Sequence, residues 1–192
     1  MIDVKQGGPA DRKYFIRTLA TKYDNGGLDM EKRELGENCL AVMRILLGWM
    51  MLWGFLDKMF GLGFETPAGS GWIDGTSPSS FVTYVTGGIF KDLYTSLAGN
   101  TFIDILMMSG MLILGITLIF GFASKLTTIA TCAFMLVMYS LHVPPTDNPV
   151  VDYHLMLIGL MIAVYFLGGF DRISVQKKWK ECFLVKRFPI LE

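Results

Sequence analysis

Four long runs of apolar residues, parted by short polar or glycine-rich stretches, dominate the chain. They lie at 39–60 (CLAVMRILLGWMMLWGFLDKMF), 102–121 (FIDILMMSGMLILGITLIFG), 125–143 (KLTTIATCAFMLVMYSLHV) and 151–170 (VDYHLMLIGLMIAVYFLGGF). Each is close to the ~20 residues a helix needs to cross a hydrocarbon core of ~30 Å. A helix in water keeps one polar face, and these runs carry too few charges to make one. The pattern predicts an all-α fold, an integral membrane four-helix bundle.

The stretch 61–101 between the first two runs changes character midway. It opens glycine-rich (GLGFETPAGSGWIDGTSPSS), and then Phe81, Val82, Val85, Ile89, Leu93 and Leu97 recur at helical spacing. Pro78 with Ser79 or Ser80 signals a helix start, and Gly87 and Gly88 predict a break. The stretch reads as a two-piece amphipathic helical segment on the outer surface, either a lid or simple packing over the helix ends. Ahead of the first run, DRKYFIRTLATKY sets Phe15, Leu19 and Tyr23 at helical spacing beside Arg12, Lys13 and Arg17. Residues 1–38 are therefore expected to form an amphipathic arm, lying on the inner leaflet or standing in solvent against a partner. They hold no apolar stretch like that of a cleaved signal, so insertion is expected through the four helices themselves.

Composition supports the bilayer as solvent. Hydrophobic residues make up 52% and charged residues 18%, against roughly 25% charged in a soluble domain. This excludes intrinsic disorder and argues against an ordinary soluble enzyme. With 17 basic and 17 acidic residues the net charge is zero and gives no reason to expect a nucleic-acid partner. The distribution of sign is more informative. Lys5, Arg12, Lys13, Arg17, Lys22, Lys32 and Arg33 precede the first run, Lys125 sits between the second and third, and a basic tail at 171–192 follows the fourth. The positive-inside rule then puts both termini in the cytoplasm and the 61–101 stretch outside, the location expected being the cell membrane, multi-pass.

Polar residues at membrane depth are costly and point to function. They are Arg44, Asp57, Lys58, Asp104, His142, Asp152 and His154, and all but Arg44 gather at the helix ends predicted to face outward. Carboxylates, imidazoles and an ammonium converging there suit proton-coupled chemistry on an anion. On this reading Lys58, His142, Asp152, His154 and Asp104 are the expected catalytic groups, and Arg44, Asp57 and Trp72 the substrate contacts. The plainer reading is that helix-end charges mark the water boundary. Arg44 is fourteen residues before Lys58, within about 40° of its helical stripe, so it faces the bundle or snorkels to inner phosphates. Cys39, Cys132 and Cys182 form no paired motif, and no metal site is expected. A haem between His142 and His154 is disfavoured because both flank a turn at the helix rims. No nucleotide-binding or nucleophile-elbow pattern is present.

Taken together, RILLGWMMLWGFLDKMFG, GWIDGTSPSSF, SLAGN, a second-run GxxxxG and VPPTDNPVVDYH resemble the DoxX/DoxD family of membrane proteins over residues 40–192. The resemblance implies a four-helix membrane bundle. In its DoxD branch it implies the membrane subunit of a thiosulfate:quinone oxidoreductase of thermoacidophilic archaea, oxidising thiosulfate to tetrathionate outside and passing two electrons to quinone. The family pattern falls on Arg44, Gly48, Asp57, Lys58 and Gly61, and on Asp152, Tyr153 and His154. The implied partners are thiosulfate, membrane quinone, the lipid bilayer and a second, DoxA-like membrane subunit or respiratory complex. Quinone is the expected acceptor, with no intrinsic cofactor. Other members of the family organise complexes without a known reaction, which leaves a non-catalytic structural or assembly subunit as the alternative.

Overall fold

The computed structural model describes residues 25–145 and 148–188. The predicted amphipathic stretch 11–23, and Thr146 and Asp147 of the PPTDNP turn, lie outside the described residues. Among those described the chain is all-helical, without a strand. It divides into two units, residues 1–37 and residues 38–192. Within the first unit the described residues belong to helix α1 (Asn25–Phe60), where Arg33 Nε donates to Glu37 Oε1 at 3.0 Å. The helix begins well before residue 39 because good helix formers and an i,i+4 pair extend it through polar sequence that hydropathy alone does not register.

The second unit holds the rest of α1, two short helices α2 (Val82–Val85) and α3 (Lys91–Leu97), the long helices α4 (Thr101–Phe120), α5 (Ser124–Ser140) and α6 (Tyr153–Phe166), and the short α7 (Gln176–Lys180) and α8 (Phe183–Arg187). Two segments, Met30–Phe60 and Thr101–Phe120, are long and apolar enough to cross a membrane. The other two long helices are shorter than their apolar runs, at 17 and 14 residues. The fourth stops at Phe166 rather than 170, where Gly168 takes φ 83° and Gly169 N–H turns back to Val164 O at 2.8 Å.

Side chains from all four long helices meet in one core of Leu47, Met51, Leu114, Leu118, Met135, Met161 and Val164, closed by Phe170. Glycine lets α1 and α4 approach closely: a Cβ on Gly48 would stand 2.8 Å from Leu118 Cβ, and one on Gly115 2.9 Å from Leu52 Cβ. Helix ends are set by local chemistry. Asn100 caps α4 by accepting from Phe102 N–H at 2.9 Å, and Gly121 ends it at φ 65°. Asp152 caps α6 by accepting from Leu155 N–H at 3.1 Å.

The apolar stripe at 81–97 forms two helical pieces parted at Gly88, which takes φ 74°. Two backbone bonds strap this break to the end of α5, Gly87 N–H to Leu141 O at 3.2 Å and Ile89 N–H to Val143 O at 3.1 Å. Its leading edge is tied to α4 through Asp104. That carboxylate accepts from Ser77 Oγ at 2.7 and 2.8 Å and from Ser79 N–H at 2.8 Å.

Candidate functional site

A cavity of about 460 Å³ opens where the C-terminal end of α1, the end of α5 and the start of α6 meet the 61–101 segment. Its polar lining includes Lys58, Glu65, His142, Tyr153 and His154. Its apolar wall includes Met50, Met51, Met107, Met111, Met135 and Met138, with Phe81 and Tyr84. Unbranched thioether side chains make such a wall adaptable in shape, suiting a flat apolar ring as well as an irregular ligand.

The two imidazoles and the ammonium in the cavity are each held by a neighbour. His154 is 5% exposed, and its Nδ1 lies 2.6 Å from Asp152 Oδ2, so the N–H there donates to the carboxylate that also caps α6. His142 Nδ1 donates to Met138 O at 3.2 Å. With both Nδ1 atoms spent, Nε2 of each ring has no hydrogen-bond partner among the described residues. The two rings stack at 5.8 Å between centroids, inclined by 25°, and the Tyr153 ring lies 3.9 Å from that of His154. Lys58, at 8% exposure, sends Nζ to Glu65 Oε2 at 2.8 Å and over the Phe81 ring at 5.2 Å.

Of the residues expected to act together, Lys58, His142 and His154 line one cavity and Asp152 supports it from behind. The others lie apart from its wall. Asp104 is occupied by Ser77 and Ser79. Asp57 accepts from Phe64 N–H at 3.3 Å and Thr66 N–H at 2.7 Å, holding the loop that follows α1. Trp72 packs against the methionine cluster of Met107, Met108 and Met111. Arg44, fully buried, neither lines the cavity nor reaches out of the protein. It donates from Nε to Gly169 O at 3.0 Å, from Nη1 to Leu118 O at 2.5 Å and Ile119 O at 3.4 Å, and from Nη2 to Arg172 O at 3.3 Å and Ile173 O at 2.7 Å. It thus closes the carbonyl end of α4 onto the chain that follows α6, where a cation is favoured.

Glu65 and the methionine wall were not expected. A signal for Glu65 existed: it is an acidic residue seven positions beyond Lys58, in a loop too short to carry it far. Nothing in the spacing of the methionines distinguishes those facing the cavity from those in the core. Among the described residues no group of three His, Cys, Asp or Glu side chains is placed to hold a metal ion. Comparison with family models, with curated proteins and with solved structures finds no match.

Proposed function

We propose that the chain is a multi-pass protein of the cell membrane, a four-helix bundle with both termini cytoplasmic, and the membrane subunit of a DoxX/DoxD-type thiosulfate:quinone oxidoreductase. The two long apolar helices support the membrane reading, as do large exposed side chains on all four long helices, among them Trp49, Ile113, Ile129, Leu136, Met156 and Phe166. The observation that carries the activity is the cavity in which an ammonium and two imidazoles meet an apolar wall.

Two thiosulfates joined as tetrathionate release two electrons, and a quinone becomes a quinol by taking up two electrons and two protons. Lys58 offsets the charge of the sulfur anion. His154, its Nδ1–H spent on Asp152, presents Nε2 to carry a proton, and the carboxylate steadies the imidazolium when it forms. His142, stacked beside it, supplies a second imidazole. The methionine and aromatic wall receives the quinone ring.

The test is thiosulfate-dependent reduction of a quinone analogue by the complex purified natively in mild detergent. Lys58→Met and His154→Phe should each abolish turnover while helical content and melting temperature are retained. Unchanged turnover in both variants removes this site. One observation favours a structural subunit instead: Asp57, Asp104 and Asp152 all spend their carboxylates on the protein's own backbone or side chains, as a hydrogen-bonded plug would. An intact preparation without turnover, whose partners copurify, favours that second reading.

A further inference from the structure

The Lys58–Glu65 pair is lopsided. The ammonium is buried, whereas the Glu65 side chain is 79% exposed. Buried ammonium groups need a counter-charge, and this one has it at 2.8 Å on a loop, not on a helix. The loop's position does not depend on the pair, because Asp57 holds it independently through Phe64 and Thr66. Glu65 also stands on the partition between two hollows. It lines the histidine cavity and, with Trp49, Trp53 and Phe64, a neighbouring aromatic groove; Met50 and Gly54 are shared by both. Its carboxylate can therefore leave Lys58 for water without disturbing the loop.

We propose that Glu65 is a tethered competitor for the anion seat at Lys58, so that a small oxyanion binds there only by displacing the Glu65 carboxylate. The inference rests on the reading of Lys58 as an anion seat and adds what governs access to it. A carboxylate on a short tether acts at a local concentration on the order of millimolar or above. A monovalent anion such as chloride merely exchanges one single charge for another and gains little over it. A dianion such as thiosulfate or sulfate brings twice the Coulomb attraction and prevails. Glu65 thus raises the threshold for every anion equally, and the dianion's stronger attraction to Lys58 clears it at concentrations where chloride does not.

The test is calorimetric titration of the detergent-purified full chain with thiosulfate, sulfate and chloride. Glu65→Gln keeps the side chain's shape but leaves the buried Lys58 ammonium without its carboxylate, so the anion-free variant should melt below the parent and thiosulfate or sulfate should raise its melting temperature by more than it raises the parent's. The variant should bind every anion tighter by roughly 5-fold, the top of the range for an ion pair with one exposed partner. The factor should be the same for each anion, since the same competitor has been removed. Lys58→Met should lose all binding. If Glu65→Gln leaves affinity unchanged or lower while Lys58→Met abolishes it, the seat stands and the competitor is overturned. If binding persists in Lys58→Met, or no protein binds any anion, the seat falls and the inference falls with it.

Discussion

Two cations on α1, Arg44 and Lys58, are fourteen residues apart, about 21 Å along the helix, and they are built in opposite ways. Arg44 is wholly buried and divides its guanidinium among carbonyls of Leu118, Ile119, Gly169, Arg172 and Ile173. Lys58 is nearly as buried, yet its ion-pair partner among the described residues is an exposed glutamate, and it opens on a cavity with two imidazoles. Depth and charge alone do not separate the two. What separates them is unspent hydrogen-bonding capacity: a cation saturated by backbone carbonyls holds chain ends together, and a cation with a displaceable partner is available to a ligand.

The sharpest way to break this contrast is at Arg44. Arg44→Met removes the guanidinium donor from five carbonyls at once, those of Leu118 and Gly169 in buried bonds, and an unsatisfied buried group costs ~1–3 kcal/mol. With partial relaxation, unfolding in detergent should show a loss of about 3–5 kcal/mol, or failure to accumulate. Arg44→Lys should recover only part of it, because an ammonium cannot reproduce the planar fork that reaches both chain ends. Gly121 belongs to the same structure: it takes φ 65°, and a Cβ there would collide with the guanidinium. An Arg44→Met protein that melts with the parent would put the two ends on equal terms.

The limits of the sequence follow the same division. The long apolar helices, the break at Gly88 and the gathering of Lys58, His142, Asp152 and His154 in one place were readable from hydropathy, glycine placement and polar residues at depth. Partnership was not. Arg44 bonds to residues up to 129 positions away, and only the packed structure reveals that its valence is used up. Asp104 stands among the expected catalytic groups because it is charged at a helix start, and nothing in the sequence shows that its carboxylate accepts from Ser77 and Ser79 and so holds the 61–101 segment. The fourth helix was read as longer than it is because Leu167 and Phe170 are apolar, although the backbone turns at Gly168.

Asp104 gives the intermediate effect. Asp104→Ala removes both acceptor oxygens, so all three contacts are lost and the Ser79 N–H is left without its acceptor. The expected cost is ~1–3 kcal/mol, confined to the segment it anchors. Hydrogen exchange should rise at residues 77–101 and stay as in the parent around Arg44. A global loss instead would mean that Asp104 belongs with Arg44 as a core staple.

Asp152 should show the smallest effect on stability and sharpens the comparison most, because one carboxylate serves both purposes. Through Oδ1 it caps α6, and through Oδ2 it holds His154 Nδ1. Asparagine caps a helix about as well as aspartate. Asp152→Asn should therefore melt within a few tenths of a kcal/mol of the parent, the His154 proton moving to Nε2 so that Nδ1 accepts from the amide, whereas Asp152→Ala, which also loses the cap, should fall by ~1 kcal/mol. Function should divide differently. Both variants remove the charge that steadies an imidazolium at His154, so both should lose quinone reduction alike despite their different stabilities. If turnover instead tracks the melting temperature, with Asn active and Ala impaired, Asp152 is only a helix cap. The open end of α1 would then be as structural as the saturated one.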